Sequence, residues 1–285
     1  MSQHPPWTKV RVREKRSDRL AKLLNRKKQT TVCEEAQCPN LPSCWGRGTA
    51  TIMVLGSICT RGCTYCSIQK GKPFPPDRNE PREVAEAVRE AGWNYVVLTM
   101  VDRDDLPDGG ADHIAETVER IKGLDPPPFV EVLVGDFRGR EEEPMKIVHA
   151  GVDVFAHNIE TVRRLYPHRR PQGDYQGALD LLDRVSQEGI RTKSSLVAGM
   201  GEEWGEVMEL LDDLRDVGVW AFTAGQYLQP TPREIAVVRH YKPSWFKSLE
   251  ESAKERGMRA LCGPLVRSSY RAEKLAGLET PRTPN

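Results

Sequence analysis

The sequence predicts an α/β chain built as a partial (βα)6 TIM-type barrel with an extension at each end, and three observations lead there. The 285 residues suffice for one barrel-sized domain of roughly 200–250 residues. From about residue 50, six β-rich runs alternate with helices bearing one apolar stripe, and a tight cysteine triplet leaves the first run. Residues 1–48 read as an N-terminal extension carrying three further cysteines, 49–230 as the barrel and 231–285 as a C-terminal extension.

The strands are expected over 51–55, 95–99, 129–134, 152–156, 192–197 and 220–224. Between them Val84/Val88/Ala91, Ile114/Val118/Ile121, Leu181/Leu182/Val185 and Val207/Leu210/Leu211/Leu214/Val217 recur at helical spacing, with a shorter helix over 144–149. Repeated β-then-α units favour a parallel sheet with right-handed crossovers, because each helix must return over the sheet to start the next strand. Six units are too few to close an eight-unit barrel, so the site is expected at the carboxyl ends of an open one. The prolines of 72–76 and 125–128 punctuate loops, since proline neither donates to a ladder nor continues a helix. Residues 280–285 read as a frayed tail.

The 42 Lys and Arg balance 41 Asp and Glu, a net charge of +1 that offers nucleic acid no broad positive field. Residues 1–30 are the exception, with ten Lys or Arg against Glu14 and Asp18. No apolar run approaches the roughly 20 residues that span a bilayer, and residues 1–7 lack the core of a secretion signal. A cytoplasmic protein with no membrane partner is expected. Trp7 with Leu20, Leu23 and Leu24 points to folded structure rather than an organelle transit segment. In a reducing compartment clustered cysteines serve as metal ligands or catalysts more often than as disulfides, and an odd total of seven argues the same way.

Cys59, Cys63 and Cys66 stand in CxxxCxxC spacing on one loop. Three thiolates so close suit an iron–sulfur cubane whose fourth iron stays free to bind a reactant. Zinc is the alternative, but it would take a fourth Cys or His nearby, and none stands within forty residues downstream. Cys33, Cys38 and Cys44 are less diagnostic alone, since a structural metal knot or three buried cysteines would look the same. Two incomplete triplets within 34 residues make two clusters the simpler count. A two-cluster electron carrier would normally complete each cluster with four cysteines. Cys262 reads as a packed thiol near a C-terminal strand.

These motifs resemble the radical S-adenosylmethionine enzymes, and the whole text resembles the lipoyl synthases among them. The likeness is carried by 31–40 with Cys44 and Trp45, by 59–66, 97–110, 157–161, 192–194, 225–230 and 263–270, so it runs from Trp7 to about Ala272. The first triplet together with Arg267, Ser268, Ser269 and Tyr270 sets this family apart from other radical sulfur-inserting enzymes, such as those resembling biotin synthase. Met100 stands where the family has a small serine, and 197–200 also departs from its wording.

The resemblance implies that Cys59, Cys63 and Cys66 hold the 4Fe–4S cluster that binds S-adenosylmethionine. It implies that Cys33, Cys38 and Cys44 hold an auxiliary 4Fe–4S cluster with Ser269, rather than Ser268, as fourth ligand; from the residues alone both serines read as turn caps. The implied activity is that of a sulfurtransferase, which inserts sulfur at C6 and C8 of an octanoyl chain amide-linked to a lysine and consumes the auxiliary cluster as sulfur source. Implied partners are octanoylated lipoyl carrier domains (the glycine cleavage H protein or a 2-oxoacid dehydrogenase E2 lipoyl domain), a low-potential donor of ferredoxin or flavodoxin type, and an iron–sulfur carrier protein.

Cofactor contacts are expected from polar residues at strand ends. Asn158 and Glu160 would take ribose hydroxyls, Lys193 the methionine carboxylate, and Tyr227 with Leu228 the adenine; Thr99 and Asp102 are further candidates. Arg267 is assigned to steering the ligand serine or the reaction intermediate. Both triplets are expected to face one cavity, and the basic arm of 9–28 is expected to attract an acidic carrier.

Overall fold

The computed structural model describes residues 5–9 and 18–278. In chain order the strands are β1 (Thr51–Val54), β2 (Ile58–Cys59), β3 (Gln69–Lys70), β4 (Tyr95–Met100), β5 (Phe129–Leu133), β6 (Val154–Ala156), β7 (Arg191–Ala198), β8 (Ala221–Gln226) and β9 (Arg259–Gly263). Seven of them form one sheet in the order β1-β4-β5-β6-β7-β8-β9, every pairing in it parallel, while β2 and β3 pair apart from it. The expected parallel α/β architecture is present, with one addition. From sequence the barrel ends at residue 230, yet β9 pairs with β8 from Ala221↔Arg259 to Gly225↔Gly263. The C-terminal segment therefore completes the sheet. The strand expected near Cys262 is thus part of the sheet and not of a separate extension; a five-residue run that opens on arginine and ends on glycine carries too little apolar periodicity to announce that pairing.

Helices Glu80–Ala91, Ala111–Lys122, Glu142–His149, Tyr175–Gln187, Trp204–Asp216 and Pro243–Glu255 return the chain between strands. Their ends follow local chemistry. Asp174 accepts from the backbone of Gln176 and Gly177, Glu203 and Glu206 form a reciprocal capping box, and Gly92 stops the first of these helices at φ 65°. The apolar stripes read from sequence are buried: Val84 and Val88, then Ile114, Val118 and Ile121, pack with Leu98 and Val130, and Leu182, Leu210 and Leu214 with Leu196 and Phe222. Successive strand residues point to opposite faces. On β7, Leu196 and Ala198 pack into that helix layer, and Lys193 and Ser195 take the opposite face.

An open sheet leaves two edges whose backbone groups need cover. The N-terminal extension supplies it at β1, where Met53 N donates to Thr30 O at 2.8 Å and Thr31 bridges Ile52. Asn40 Nδ2 donates to Leu265 O at 2.5 Å, tying that extension to the segment after β9. Leu20, Leu23 and Leu24 are buried, and Trp7 Nε1 donates to Tyr241 O at 2.9 Å, so both landmarks of the N-terminus belong to folded structure. Part of the basic arm is already paired: Arg26 with Glu90, and Lys27 with Glu86 at 3.0 Å. Arm residues 10–17 and the tail 280–285 lie outside the described residues.

Candidate functional site

The loop from Cys59 to Cys66 leaves β1 at the carboxyl end of the sheet and is pinned from several sides. Thr60 N and Oγ1 both donate to Asp102 O, at 3.1 and 2.9 Å, Thr64 N donates to Arg169 O at 3.0 Å, and Gly62 N donates to Gln172 Oε1 at 2.8 Å. Arg61, only 3% exposed, is the central brace. Its guanidinium meets Asp104 through two bonds of 2.9 Å, Asp136 at 2.7 Å, and Asp102 at 3.7 Å. A buried cation facing three carboxylates from two strand-end loops is held charged. Burial would raise the Asp136 carboxyl, but Arg61 brings it down to about 2. A Cβ on Gly135 would fall 2.1 Å from Asp102 Oδ1, so only glycine leaves that carboxylate its place.

Burial pushes the thiols up: Cys59 to about 11, with Asp102 adding to the effect, Cys66 to about 12, and Cys63 in the same direction against the opposing charge of Arg170. Left alone they are neutral thiols in a half-dry loop. Thiolate form requires a bound cation, and all seven cysteines are free of disulfides. Among the described residues no three His, Cys, Asp or Glu side chains converge on a point that would hold one metal ion. A cubane spreads its irons to separate corners and takes thiolates around a larger space than a single zinc does.

Beside this loop the segment after β6 gathers unsatisfied polar atoms. Among the described residues His157 Nε2, Asn158 Oδ1 and Thr161 Oγ1 are buried without a hydrogen-bond partner. Glu160 holds φ at 68°, strained for a non-glycine residue, and its carboxyl is pushed up by burial against Arg170, Asn158 Nδ2 and Arg267. Orphaned donors and acceptors next to three cysteines fit a polar ligand seated on the loop.

The first triplet comes from three consecutive pieces of backbone: Cys33 on the short helix Val32–Glu35, Cys38 just past a left-handed Gln37 (φ 48°), and Cys44 on the helix Leu41–Gly46. Their side chains line one cavity, and Arg267, Ser269 and Tyr270 line it from the opposite extension. Ser268 does not. Burial raises Cys44 to about 12 against the pull of Arg47, and raises Cys33 likewise. The donor set of three soft thiols and one hydroxyl fits a cubane with a hard fourth ligand.

None of Cys59, Cys63 or Cys66 is among the residues that line that space. Arg267 links the two places electrostatically: half-buried, it lines the first cavity with Cys38 and feels the charges of both Cys38 and Glu160, and desolvation pulls its pKa down against both. Its path requires Gly225, where a Cβ would stand 1.9 Å from Val266 O and 2.9 Å from Arg267 Nη1. Gly225→Ala is expected to lower stability by about 1–3 kcal/mol through overpacking, read by chemical denaturation. A change under about 0.5 kcal/mol would mean that the segment shifts freely.

The predicted contacts separate into groups. Asp102, Asn158, Glu160 and Tyr227 follow the ends of β4, β6 and β8, with Asp102 Oδ2 3.9 Å from Cys59 Sγ. Thr99 is buried near the end of β4, and Met100, which ends that strand, is half-buried against the core. Tyr227 spends its hydroxyl on Ile235 O at 2.8 Å, and Leu228 is half-buried beside it. Lys193 departs from expectation. It sits third in β7, 1% exposed, and its ammonium is taken by Glu131 at 2.6 Å, which also accepts from Tyr95 at 2.6 Å. An ion pair that deep in the barrel removes Lys193 from the strand-end rim. Arg61, Arg170 and Glu131 escape sequence reasoning because their partners lie on other loops or strands. Only the place of Arg61 inside the cysteine motif offered a signal. Cys262, on β9, packs half-buried against the second core.

Residues 53–214 match the Radical SAM superfamily. The lipoyl synthase of Pseudoalteromonas atlantica is 46% identical over 286 aligned residues, covering 98% of this chain and 89% of that protein. The lipoyl synthase of Caldanaerobacter subterraneus is 47% identical over 272 residues, 94% of this chain and 95% of that one. Among solved structures, methylornithine synthase superposes with a TM-score of 0.58 at 14% identity, covering 82% of this chain and 83% of that chain. Streptococcus suis SuiB bound to S-adenosylmethionine gives a TM-score of 0.60 at 10% identity over 74% of this chain and 49% of that one. At such identities the structures speak for the fold alone.

Proposed function

Because the chain belongs to the lipoyl synthase family of the Radical SAM superfamily, we propose that its two cysteine triplets divide one reaction between them. The activity is that of a radical sulfurtransferase: two sulfur atoms enter at C6 and C8 of a protein-bound octanoyl-lysine to give lipoyl-lysine. Its cofactors are two 4Fe–4S clusters and S-adenosylmethionine. Bound together, they supply the radical that breaks an unactivated C–H bond and the sulfur that replaces the hydrogen, chemistry beyond any side-chain acid or base.

The protein's own part is to hold, orient and keep dry. Cys59, Cys63 and Cys66 would anchor the cluster that binds S-adenosylmethionine, on a loop stiffened by Arg61. Asn158 and Glu160 would take ribose hydroxyls, a reading supported by the orphaned Asn158 Oδ1 and the strained Glu160, and Asp102 and Thr99 would contribute from the end of β4, two strands away. Tyr227 and Leu228 offer apolar surface to the adenine. The Glu131 pair withdraws Lys193 from the methionine carboxylate. Cys33, Cys38 and Cys44 would hold the auxiliary cluster with Ser269, and Arg267, half-buried in that cavity and feeling the charges of Cys38 and Glu160, would orient the chain being modified between the two sites.

The observation that carries this reading is that Ser269, and not Ser268, shares a cavity with the first triplet. Octanoylated lipoyl carrier proteins are the substrates; the H protein or an E2 lipoyl domain, a ferredoxin- or flavodoxin-type donor and an iron–sulfur carrier are the proposed particulars. Among the described residues no helix is long and apolar enough to cross a membrane, and the cytoplasm is the proposed location.

The test is anaerobic reconstitution followed by S-adenosylmethionine, a low-potential reductant and an octanoyl-lysyl peptide. About eight irons per chain are expected, with 5′-deoxyadenosine and lipoyl-lysine as products. Ser269→Ala should cut lipoyl-lysine at least about tenfold while sparing adenosylmethionine cleavage; equal loss of both would remove Ser269 from the assigned role.

A further inference from the structure

We propose that the octanoylated carrier domain docks on a basic rim at the carboxyl mouth of the barrel, built from residues 163–170 and 231–242, through an acidic face around its acylated lysine. This rests on the lipoyl synthase reading and adds the surface that receives the substrate. The rim is stitched to the cysteine loop. Ile235 N donates to Thr64 O at 3.1 Å, and Thr64 N in turn donates to Arg169 O at 3.0 Å. Thr64 lies between Cys63 and Cys66, so a partner resting there stands directly over the radical-generating site.

Charge and apolar exposure coincide on it. Exposed Arg233, Arg239 and Lys242 make no ion pair with a carboxylate among the described residues, whereas neighbouring Arg163 and Arg164 pair with Asp213 at 3.3 Å and Glu206 at 2.6 Å, and half-buried Arg169 donates to Met200 O at 3.0 Å. Val238 stands 63% exposed in their midst although its backbone N is fixed to Gly199 O at 2.9 Å. Trp204, 39% exposed, packs edge-on against Trp245, which stacks on Tyr241 beneath the Arg239 guanidinium. An apolar centre within a cationic border is the anatomy of a protein docking patch. The lysine of the carrier is neutral once acylated, so complementary charge must come from the acidic residues around it. In the N-terminal arm, Arg26 and Lys27 are engaged with Glu90 and Glu86.

The experiment compares Arg233→Glu/Arg239→Glu with the parent protein. An octanoylated H-protein domain, fluorescently labelled, is titrated at low and high salt, and turnover is measured on that domain and on an octanoyl-lysyl tripeptide. The double variant should bind the domain about tenfold or more weakly at low salt and lose most of the salt dependence. Its tripeptide kinetics should be unchanged. Val238→Asp should act in the same direction, and a domain with Lys replacing its acidic residues should bind the double variant better than the parent. Unchanged domain binding, or equal losses on domain and tripeptide, would overturn the docking face. Failure of the parent to make lipoyl-lysine from either substrate would instead sink the functional reading, and the binding titration would still decide the surface.

Discussion

Cys63→Ala is expected to abolish 5′-deoxyadenosine formation and to leave about four of eight irons, and Cys38→Ala should lose a similar amount of iron while still cleaving S-adenosylmethionine. The contrast follows from placement. Cys63 sits on the loop with Asp102, Glu160 and Arg170 within electrostatic reach, whereas Cys38 lies in the cavity with Ser269. Loss of one thiolate removes a quarter or more of the ligands that hold a cubane, and an incomplete set seldom retains it. The measurement is iron and sulfide content beside product analysis under anaerobic conditions. Abolition of cleavage by Cys38→Ala would mean that the two triplets act as one unit and would end the division of roles.

Lys193→Met should cost about 3–5 kcal/mol of stability. The change leaves Glu131, itself 2% exposed, as an uncompensated charge in the barrel, with only the Tyr95 hydroxyl to share its proton. Breaking one side of a buried pair is worse than removing both, so Lys193→Met with Glu131→Leu should recover much of the loss. Denaturation of the two variants, followed by far-UV dichroism, gives the comparison. A single variant within about 0.5 kcal/mol of the parent would show that Lys193 and Glu131 do not depend on each other. If Lys193 contacted the methionine carboxylate, the single variant would keep its stability and lose affinity for S-adenosylmethionine instead.

How legible the site was depends on how far apart in the chain its members are. Cys59, Cys63 and Cys66 are separated by a few covalently fixed residues, so spacing alone announces a loop of thiolates. The assignment of Ser269 over Ser268 came with the family resemblance, and the cavity offers support for it that sequence could not. Lys193 was misplaced because a lysine within a strand says nothing of which carboxylate faces it, and Glu131 is 62 residues away. Arg61 stood in plain view within the motif, but its role depends on Asp102, Asp104 and Asp136 arriving from two other loops.

By itself the sequence determined the α/β alternation, the apolar stripes of the helices, the two thiol triplets and the likeness to a family. All of these are written in local periodicity or short covalent spacing, which survive without knowledge of neighbours. Tertiary structure alone decided that β9 joins the sheet, that Gly225 gives passage to Arg267, that this arginine lines the cavity of the first triplet, and that Lys193 is sealed inside the barrel. Those facts hang on strand order and register, which set what each inward side chain meets. A buried charge must find its partner wherever the fold brings one.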